Sequence, residues 1–343
     1  MSTDIRWQHK RFTQEDRDRI LDLRKRVFSD GSYDHKRWTW QYQSNPMGDS
    51  FIDLAVDKDE ANVLAGHYAV ISYKFSLGKD EVLGAQSLDT FTSPDYGRQG
   101  IFVELAQKTY QNSFDNGVKF IFGFPNKLSY PGFVKKLDFK DPFGFKVYKL
   151  PLRLGHYSKK IPGGSLFSKI PLNFTSLAKN IIFNKVDKLP ADMKDLNSSF
   201  LDTLDYKVIR DENYLNWRYV DCPDRNYELF EYRVDGKLKG MVIGKVEGDF
   251  AHLVDIIPCE ESDIEILVKG FVSHYRDQGI HCLTCFLNEG NFLESYLSQL
   301  GFSSTDKSDD FRFIIRTSSK DMYDKSMDDC KKWFLMGGDT DFY

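Results

Sequence analysis

The sequence matches itself. A block near residue 40, RWTWQYQSNPMGDSFIDLAV, has a counterpart near residue 217, YLNWRYVDCPDRNYELFEYRV. In each, a Trp is followed two residues on by Tyr and six residues on by Pro: Trp40, Tyr42 and Pro46 in one, Trp217, Tyr219 and Pro223 in the other. Both blocks lead into an alternating strand, a turn of charged and small residues, and a further strand, HYAVISY in the first half and MVIGKV in the second. A duplication of this kind gives both halves one topology. The length of 343 residues agrees with two domains, since single hydrophobic cores stop growing near about 250–300 residues.

Element types alternate within the first half. Thr13 and Asp16 have capping-box spacing, and Ile20, Leu23, Val27 and Phe28 recur at helical spacing, which predicts an early helix. Strands are expected near residues 52–57, 66–75, 81–92 and 118–124, and helices near 100–114 and 127–137. Trp38 and Trp40, two apart, fit core and hairpin packing. The result is a mixed α/β domain over residues 1–150. Residues 151–204, rich in Lys, Ser, Gly and Pro, read as a linker packed across two domains. An amphipathic membrane-surface patch is the minor reading there, because Pro162, Pro171 and Pro190 interrupt any long helix. A second domain fills residues 205–343.

Composition removes several function classes. Hydrophobic residues at 41% with charged residues at 29% describe an ordinary globular chain. The net charge of −4 offers no general attraction to nucleic acid or anionic membrane, so an anionic ligand needs a local feature to hold it. The N-terminus MSTDIRWQHKRF lacks the apolar run of a signal peptide, and no transmembrane segment is expected, which suggests a cytoplasmic protein. Cys222, Cys259, Cys282, Cys285 and Cys330 are an odd set suited to reduced thiols. CLTC, residues 282–285, has redox or zinc spacing but sits in a strand-like run, so buried cysteines are expected and no metal.

The local feature is SPDYGRQGIFVELA, residues 93–106. Two glycines and an arginine stand between a strand and an amphipathic helix. A helix start carries unpaired N–H groups and partial positive charge, and glycine lets an anion reach the backbone. The alternative is a tight connection that needs Gly97 and Gly100 without any ligand. In the second half the strand HLVDIIP runs into CEESDIEILVKG, where Glu260, Glu261 and Asp263 take the place of glycines and arginine and would repel a diphosphate.

The order helix, strand, hairpin, the strand AQSLDTFTSP, glycine turn, helix, and the strand VKFIFGFPN followed by FVKKLDF resembles the GNAT superfamily of acyl-CoA N-acyltransferases. PDYGRQGIF carries the family's glycine turn, with Gly100 at its central glycine. Gly97 stands where Arg or Gln is usual, and Phe102 where Gly or Ala is usual. With both halves counted, the chain looks most like tandem-GNAT proteins, the second domain being degenerate. WxWxYxxNP, GFPN and the terminal WFLMGGDTDFY are similar to segments of acetyltransferase-like proteins of bacterial polysaccharide synthesis.

The resemblance implies acetyl-CoA as co-substrate. Its diphosphate would lie on Gly97, Arg98, Gln99, Gly100, Ile101 and Phe102, with main-chain contacts to pantetheine from Phe91 and Thr92. Asn126 would contact the coenzyme or cap the next helix. Asp89 is the first candidate for general base, expected on one strand face with Ser87 and Phe91; a strand-edge carboxylate is its bland alternative. His67 is the second candidate, against simple packing. The family's acid position, five residues before Phe139, holds Val134, which leaves Tyr130 as candidate acid or as an aromatic packed under the helix. The function implied is N-acetylation of a small amine, such as an amino sugar, with no nucleic-acid partner. Its alternatives are an aminoacyl-tRNA-dependent peptidyltransferase-like protein and a non-catalytic acyl-CoA-binding protein.

Overall fold

The computed structural model describes residues 5–29, 33–160, 169–172, 183–196, 198–305 and 311–343. Most of the amphipathic patch read within the linker lies outside the described residues. The first half contributes β1 (Trp7–Arg11), α1 (Arg17–Phe28), α2 (His35–Tyr42), β2 (Ser50–Asp57), β3 (Leu64–Leu77), β4 (Asp80–Thr92), α3 (Ile101–Asp115), β5 (Phe120–Gly123), α4 (Tyr130–Lys136) and β6 (Lys140–Pro151). Then come β7 (Phe183–Val186), β8 (Tyr206–Val208), α5 (Glu212–Leu215), β9 (Tyr227–Val234), β10 (Lys237–Glu247), β11 (Phe250–Pro258), α6 (Glu261–Asp277), β12 (Cys282–Asn288), α7 (Leu293–Gln299), β13 (Ser303–Thr305), β14 (Arg312–Thr317) and β15 (Trp333–Phe334).

The main path of the sheet runs β1-β2-β3-β4-β5-β14-β6-β12-β11-β10-β9-β7. Two like arrays meet at its centre, and there the halves exchange strands. β14 of the second half pairs antiparallel with β5 of the first, while β6 of the first pairs antiparallel with β12 of the second. β14 and β6 also pair with each other. Each sheet therefore needs the other half's chain to complete it, which makes the two mixed α/β halves one cooperative body.

The repeated block is a helix in both halves. Asp34 caps α2, accepting from the amides of Lys36 and Arg37 at 2.9 and 3.0 Å, and Asp211 caps α5, accepting from the amide of Tyr214 at 2.7 Å. The hairpin expected for Trp38 and Trp40 is thus corrected. Spacing of two conceals a helix whose i,i+4 pair, Trp38 and Tyr42, packs at 4.3 Å between ring centroids. Trp40 points elsewhere and stacks on Trp217 at 4.7 Å, nearly parallel at 11°. The duplicated tryptophans meet where the two halves join.

One apolar cluster lies beneath α3, including Tyr68, Leu105, Tyr110, Ile121 and Phe139. A larger one on the other face joins both halves through Trp38, Phe122, Trp217 and Phe286. Cys282 and Cys285 are buried free thiols in β12, and burial pushes the Cys282 thiol up to about 11. Among the described residues no cluster of His, Cys, Asp or Glu has the arrangement of a metal site, and no helix is long and apolar enough to cross a membrane.

Candidate active site

β4 and β5 are hydrogen-bonded in parallel only over Gly84–Gln86 and Phe120–Phe122. Beyond that they part. A bulge in β4 accompanies the divergence: His67 pairs with Phe91 and Ala69 with Leu88, so Tyr68 faces both Asp89 and Thr90. Asp89 takes a positive φ of 47° to make this turn. The bulge also shifts the alternation. Ser87 bonds the Tyr68 hydroxyl at 2.8 Å on the α3 face, whereas Asp89 meets Gln41 and Tyr42 on the α2 face. The single face expected for Ser87, Asp89 and Phe91 is corrected accordingly, because an inserted residue resets a period of two.

The gap between the strands is a cleft of about 730 Å³, walled by Ser87–Thr90 and Thr92 on one side and Gly123–Asn126 on the other. Phe102 reaches it from α3, and Asp341 and Phe342 reach it from the C-terminal tail. Phe28, Leu128 and Phe342 keep 47%, 93% and 44% of their surface exposed, and all three line this cleft. Its rim therefore carries three apolar side chains beside the exposed Asn126 and Asp341.

The glycine turn precedes α3. Arg98 and Gly100 both have positive φ, 64° and 80°. Gly100 is the N-cap residue, and a Cβ built there meets nothing within 4 Å, so its surroundings are open. Among the described residues the amides of 98–102 find no protein acceptor, while the Gly100 carbonyl already accepts from Val103 and Glu104 at 3.2 Å. Successive free N–H groups bent by alternating backbone signs have a geometry that can hold an anion. The second half closes the same position with its own carboxylates: Glu260 and Asp263 form a capping box at the start of α6, and the Glu260 amide donates to Asp263 at 2.9 Å.

Other turn residues are partly committed to the fold. The Gln99 side chain accepts from the Arg6 amide at 3.0 Å, and its carbonyl accepts from the Trp7 indole at 3.1 Å. Arg98 is exposed. Ile101 is buried against Gly66, leaving its amide as the group that can meet a ligand. Phe102 packs edge-on against Phe133, with ring centroids at 5.3 Å. Asn126 caps the turn into α4, its Oδ1 accepting from the amides of Leu128 and Ser129 at 2.9 and 3.0 Å.

The acid and base candidates are dispersed. Asp89 lines the cleft, but its carboxylate accepts from Gln41 at 2.8 Å and Tyr42 at 3.0 Å, with Arg24 at 3.5 Å. Its counterpart in the second half, Asp255, accepts from Tyr219 at 2.7 Å and Arg210 at 3.0 Å. Tyr–Asp is thus a repeated internal tie of the fold. His67 is 1% exposed, stacked on Phe91 at 4.8 Å, with Nδ1 at 2.8 Å from the Asp89 carbonyl. Burial lowers its pKa to about 4, so the ring is neutral and sealed from the cleft. Tyr130 turns away from the cleft: its hydroxyl donates to Asp141, which also pairs with Arg312 at 2.7 Å. That hydrogen bond raises the phenol's pKa. Thr92 is on the cleft wall, and the Phe91 side chain is buried.

Sequence reasoning did not single out Asp341. In the second half, β11 and β12 pair over Phe250–Leu253 and Cys282–Cys285 and then separate as β4 and β5 do. Here the tail fills the gap. Met336 bridges to Leu287, and Leu335, Gly337, Gly338, Asp339 and Thr340 are buried. Gly338 is obligatory, since a Cβ would come within 2.0 Å of the Tyr219 hydroxyl. Arg218, itself 2% exposed, donates to the carbonyls of Gly338, Thr340 and Tyr343 at 2.9, 3.0 and 2.7 Å. The tail then emerges into the first half's cleft, where Gln86 donates to Asp341 at 3.3 Å. The signals in sequence were the pair of glycines amid aromatics in WFLMGGDTDFY and the carboxylate at Tyr343, which could enter a cleft although termini are usually mobile.

The profile of the acetyltransferase (GNAT) domain family matches residues 8–140. No curated protein matches the chain in sequence. Among solved structures, a GCN5-related N-acetyltransferase from Anabaena variabilis superposes with a TM-score of 0.66 at 13% identity, covering 92% of this chain and 73% of that one. A conserved Enterococcus faecalis protein of unknown function gives 0.66 at 13%, covering 91% and 72%. Saccharomyces cerevisiae N-myristoyltransferase with bound myristoyl-CoA gives 0.59 at 9%, covering 92% and 83%. Residues 8–140, with their glycine turn and parted strands, thus match the acetyltransferase (GNAT) domain family, and the chain as a whole is similar in fold to these N-acyltransferase structures.

Proposed function

We propose that the protein transfers an acetyl group from acetyl-CoA to a small primary amine, using the cleft of its first half. One contrast carries this: α3 begins with unpaired amides beside an open cleft, whereas α6 caps itself and its cleft is filled by the tail. The coenzyme diphosphate would accept hydrogen bonds from the amides of 98–102, with the Arg98 guanidinium adding charge. Pantetheine would follow the edge of β4 that lacks β5, near Phe91 and Thr92, as an added strand does. The thioester carbonyl would then lie by the bulge at Asp89 and Thr90, where a main-chain N–H turned out of the regular ladder would stabilise an oxyanion.

Attack by the amine forms the C–N bond and expels the thiolate. Phe28, Leu128 and Phe342 favour an acceptor with an apolar face, which the C–H face of an amino sugar also supplies. Calorimetric titration with acetyl-CoA tests the proposal. Saturable binding that Gly100→Val weakens at least about tenfold is expected, and absence of binding to the unaltered protein overturns it.

A further inference from the structure

An ammonium acceptor must lose a proton before it can attack a thioester, and neither buried His67 nor Asp89 is arranged to take it. Asp89 already serves Gln41 and Tyr42 and faces Arg24, a pattern copied at Asp255 in the half whose cleft is filled. A structural tie explains both copies. Asp341 is different. It lines the first half's cleft and is exposed there, and its one side-chain hydrogen bond among the described residues is the 3.3 Å bond from Gln86 at the point where β4 and β5 part. Its backbone is held firmly. Arg225 donates to the Asp341 carbonyl at 2.9 Å, and Arg218 grips Thr340 before it and Tyr343 after it.

We propose that Asp341, supplied by the tail of the second half, is the general base that deprotonates the acceptor amine in the first half's cleft. The proposal rests on the acetyltransferase reading above. The ammonium gives one proton to the Asp341 carboxylate, which passes it to water. The neutral amine's lone pair forms the C–N bond, the C–S bond breaks with its electrons on sulfur, and the second N–H proton ends on the thiolate. The products are the amide and free coenzyme thiol.

The surroundings suit the role. Although the residue opens into the cleft, its carboxyl sits among enclosing side chains, and that burial, with the Asp89 charge, pushes it up to about 6. Arg225 and Arg218 act in the other direction, and Tyr73 on β3 also senses the Asp341 charge. A carboxyl titrating there is ionised at neutral pH yet basic enough to accept a proton. The second half thus retains a task after its own cleft has closed, because the segment that fills that cleft also delivers the base.

The experiment compares Asp341→Asn with the unaltered full-length protein, using acetyl-CoA and two nucleophiles at about pH 8, where phenethylamine is an ammonium ion and hydroxylamine is already the free base. The variant is expected to bind acetyl-CoA unchanged by calorimetry, to lose about 10²-fold or more of kcat on phenethylamine, and to keep its rate on hydroxylamine. In the unaltered protein the phenethylamine rate rises with pH through about 6, a limb that Asp341→Asn loses and Asp341→Glu, which keeps the carboxyl, retains. Equal losses on both nucleophiles, or undiminished phenethylamine turnover, overturn the assignment of Asp341 while leaving acetyl-CoA binding intact. If the unaltered protein binds no acetyl-CoA, the cleft reading itself falls and takes this inference with it.

Discussion

Trp40 and Trp217 each donate an indole N–H to the other's main-chain carbonyl, at 2.6 and 2.8 Å, across a separation of 177 residues. Each satisfies the polar group that the other's burial exposes, so neither can be replaced alone without cost. The same separation relates Asp34 to Asp211 and Tyr42 to Tyr219, which places the caps and Tyr–Asp ties of both halves in one frame.

Trp217→Ala should destabilise the whole chain by about 3–5 kcal/mol, through lost aromatic burial and the cavity it leaves. Trp217→Phe keeps most of the apolar mass but leaves the Trp40 carbonyl without its donor, at about 1–3 kcal/mol. Urea titration followed by far-UV circular dichroism checks both. Because β6 and β14 are exchanged, a single transition is expected in each variant.

Arg218→Ala should release the tail. The substitution leaves the buried carbonyls of Gly338 and Thr340 without their donor and should cost about 3 kcal/mol or more. Limited proteolysis is the readout: cleavage after residue 335 should accelerate in the variant. An unchanged digestion pattern would contradict a clamp by Arg218.

Gly100→Val separates stability from binding. A β-branched residue at φ 80° is strained by about 1–2 kcal/mol, yet its side chain would enter open space. A modest fall in melting temperature should therefore accompany a large loss of acetyl-CoA affinity. Gly117 in the α3–β5 turn, at φ 93° and equally open, is the control: Gly117→Val should lower stability and leave affinity alone.

The buried His67 sets an acid limb. Its folded pKa of about 4 lies below the ordinary 6.5, so the unfolded chain takes up a proton first as pH falls. Stability from this group is complete above about pH 6.5 and declines by about 1.4 kcal/mol per pH unit down to about 4, because ν is larger in the unfolded state. Chemical denaturation at stepped pH should show this slope, and His67→Phe should flatten it.

What the sequence could disclose was local or repetitive. The repeated Trp, Tyr and Pro announced two copies, and helical spacing with Thr13 and Asp16 announced α1, which follows a single turn, Gln14–Asp16, capped by the Thr13 amide donating to Asp16 at 2.9 Å. Gly97 and Gly100 before an amphipathic helix announced an open turn with free amides, because φ preference and unpaired N–H groups are properties of a few neighbouring residues. The helix at Trp38–Tyr42 was missed, since its two-residue spacing imitates a strand and only the Asp34 cap resolves the ambiguity.

Tertiary structure alone decided the rest. The β4 bulge that turns Asp89 away from Ser87 arises from register against β3, which no period within β4 encodes. Tyr130 left the cleft for Asp141 because β14 carries Arg312 to that carboxylate from 171 residues away. Asp341 met Gln86 across 255 residues, through a tail threaded down one half to reach the other. Such contacts are fixed by how sheets exchange strands and where buried arginines find acceptors, and these are energies of the assembled chain, invisible to any window of its sequence.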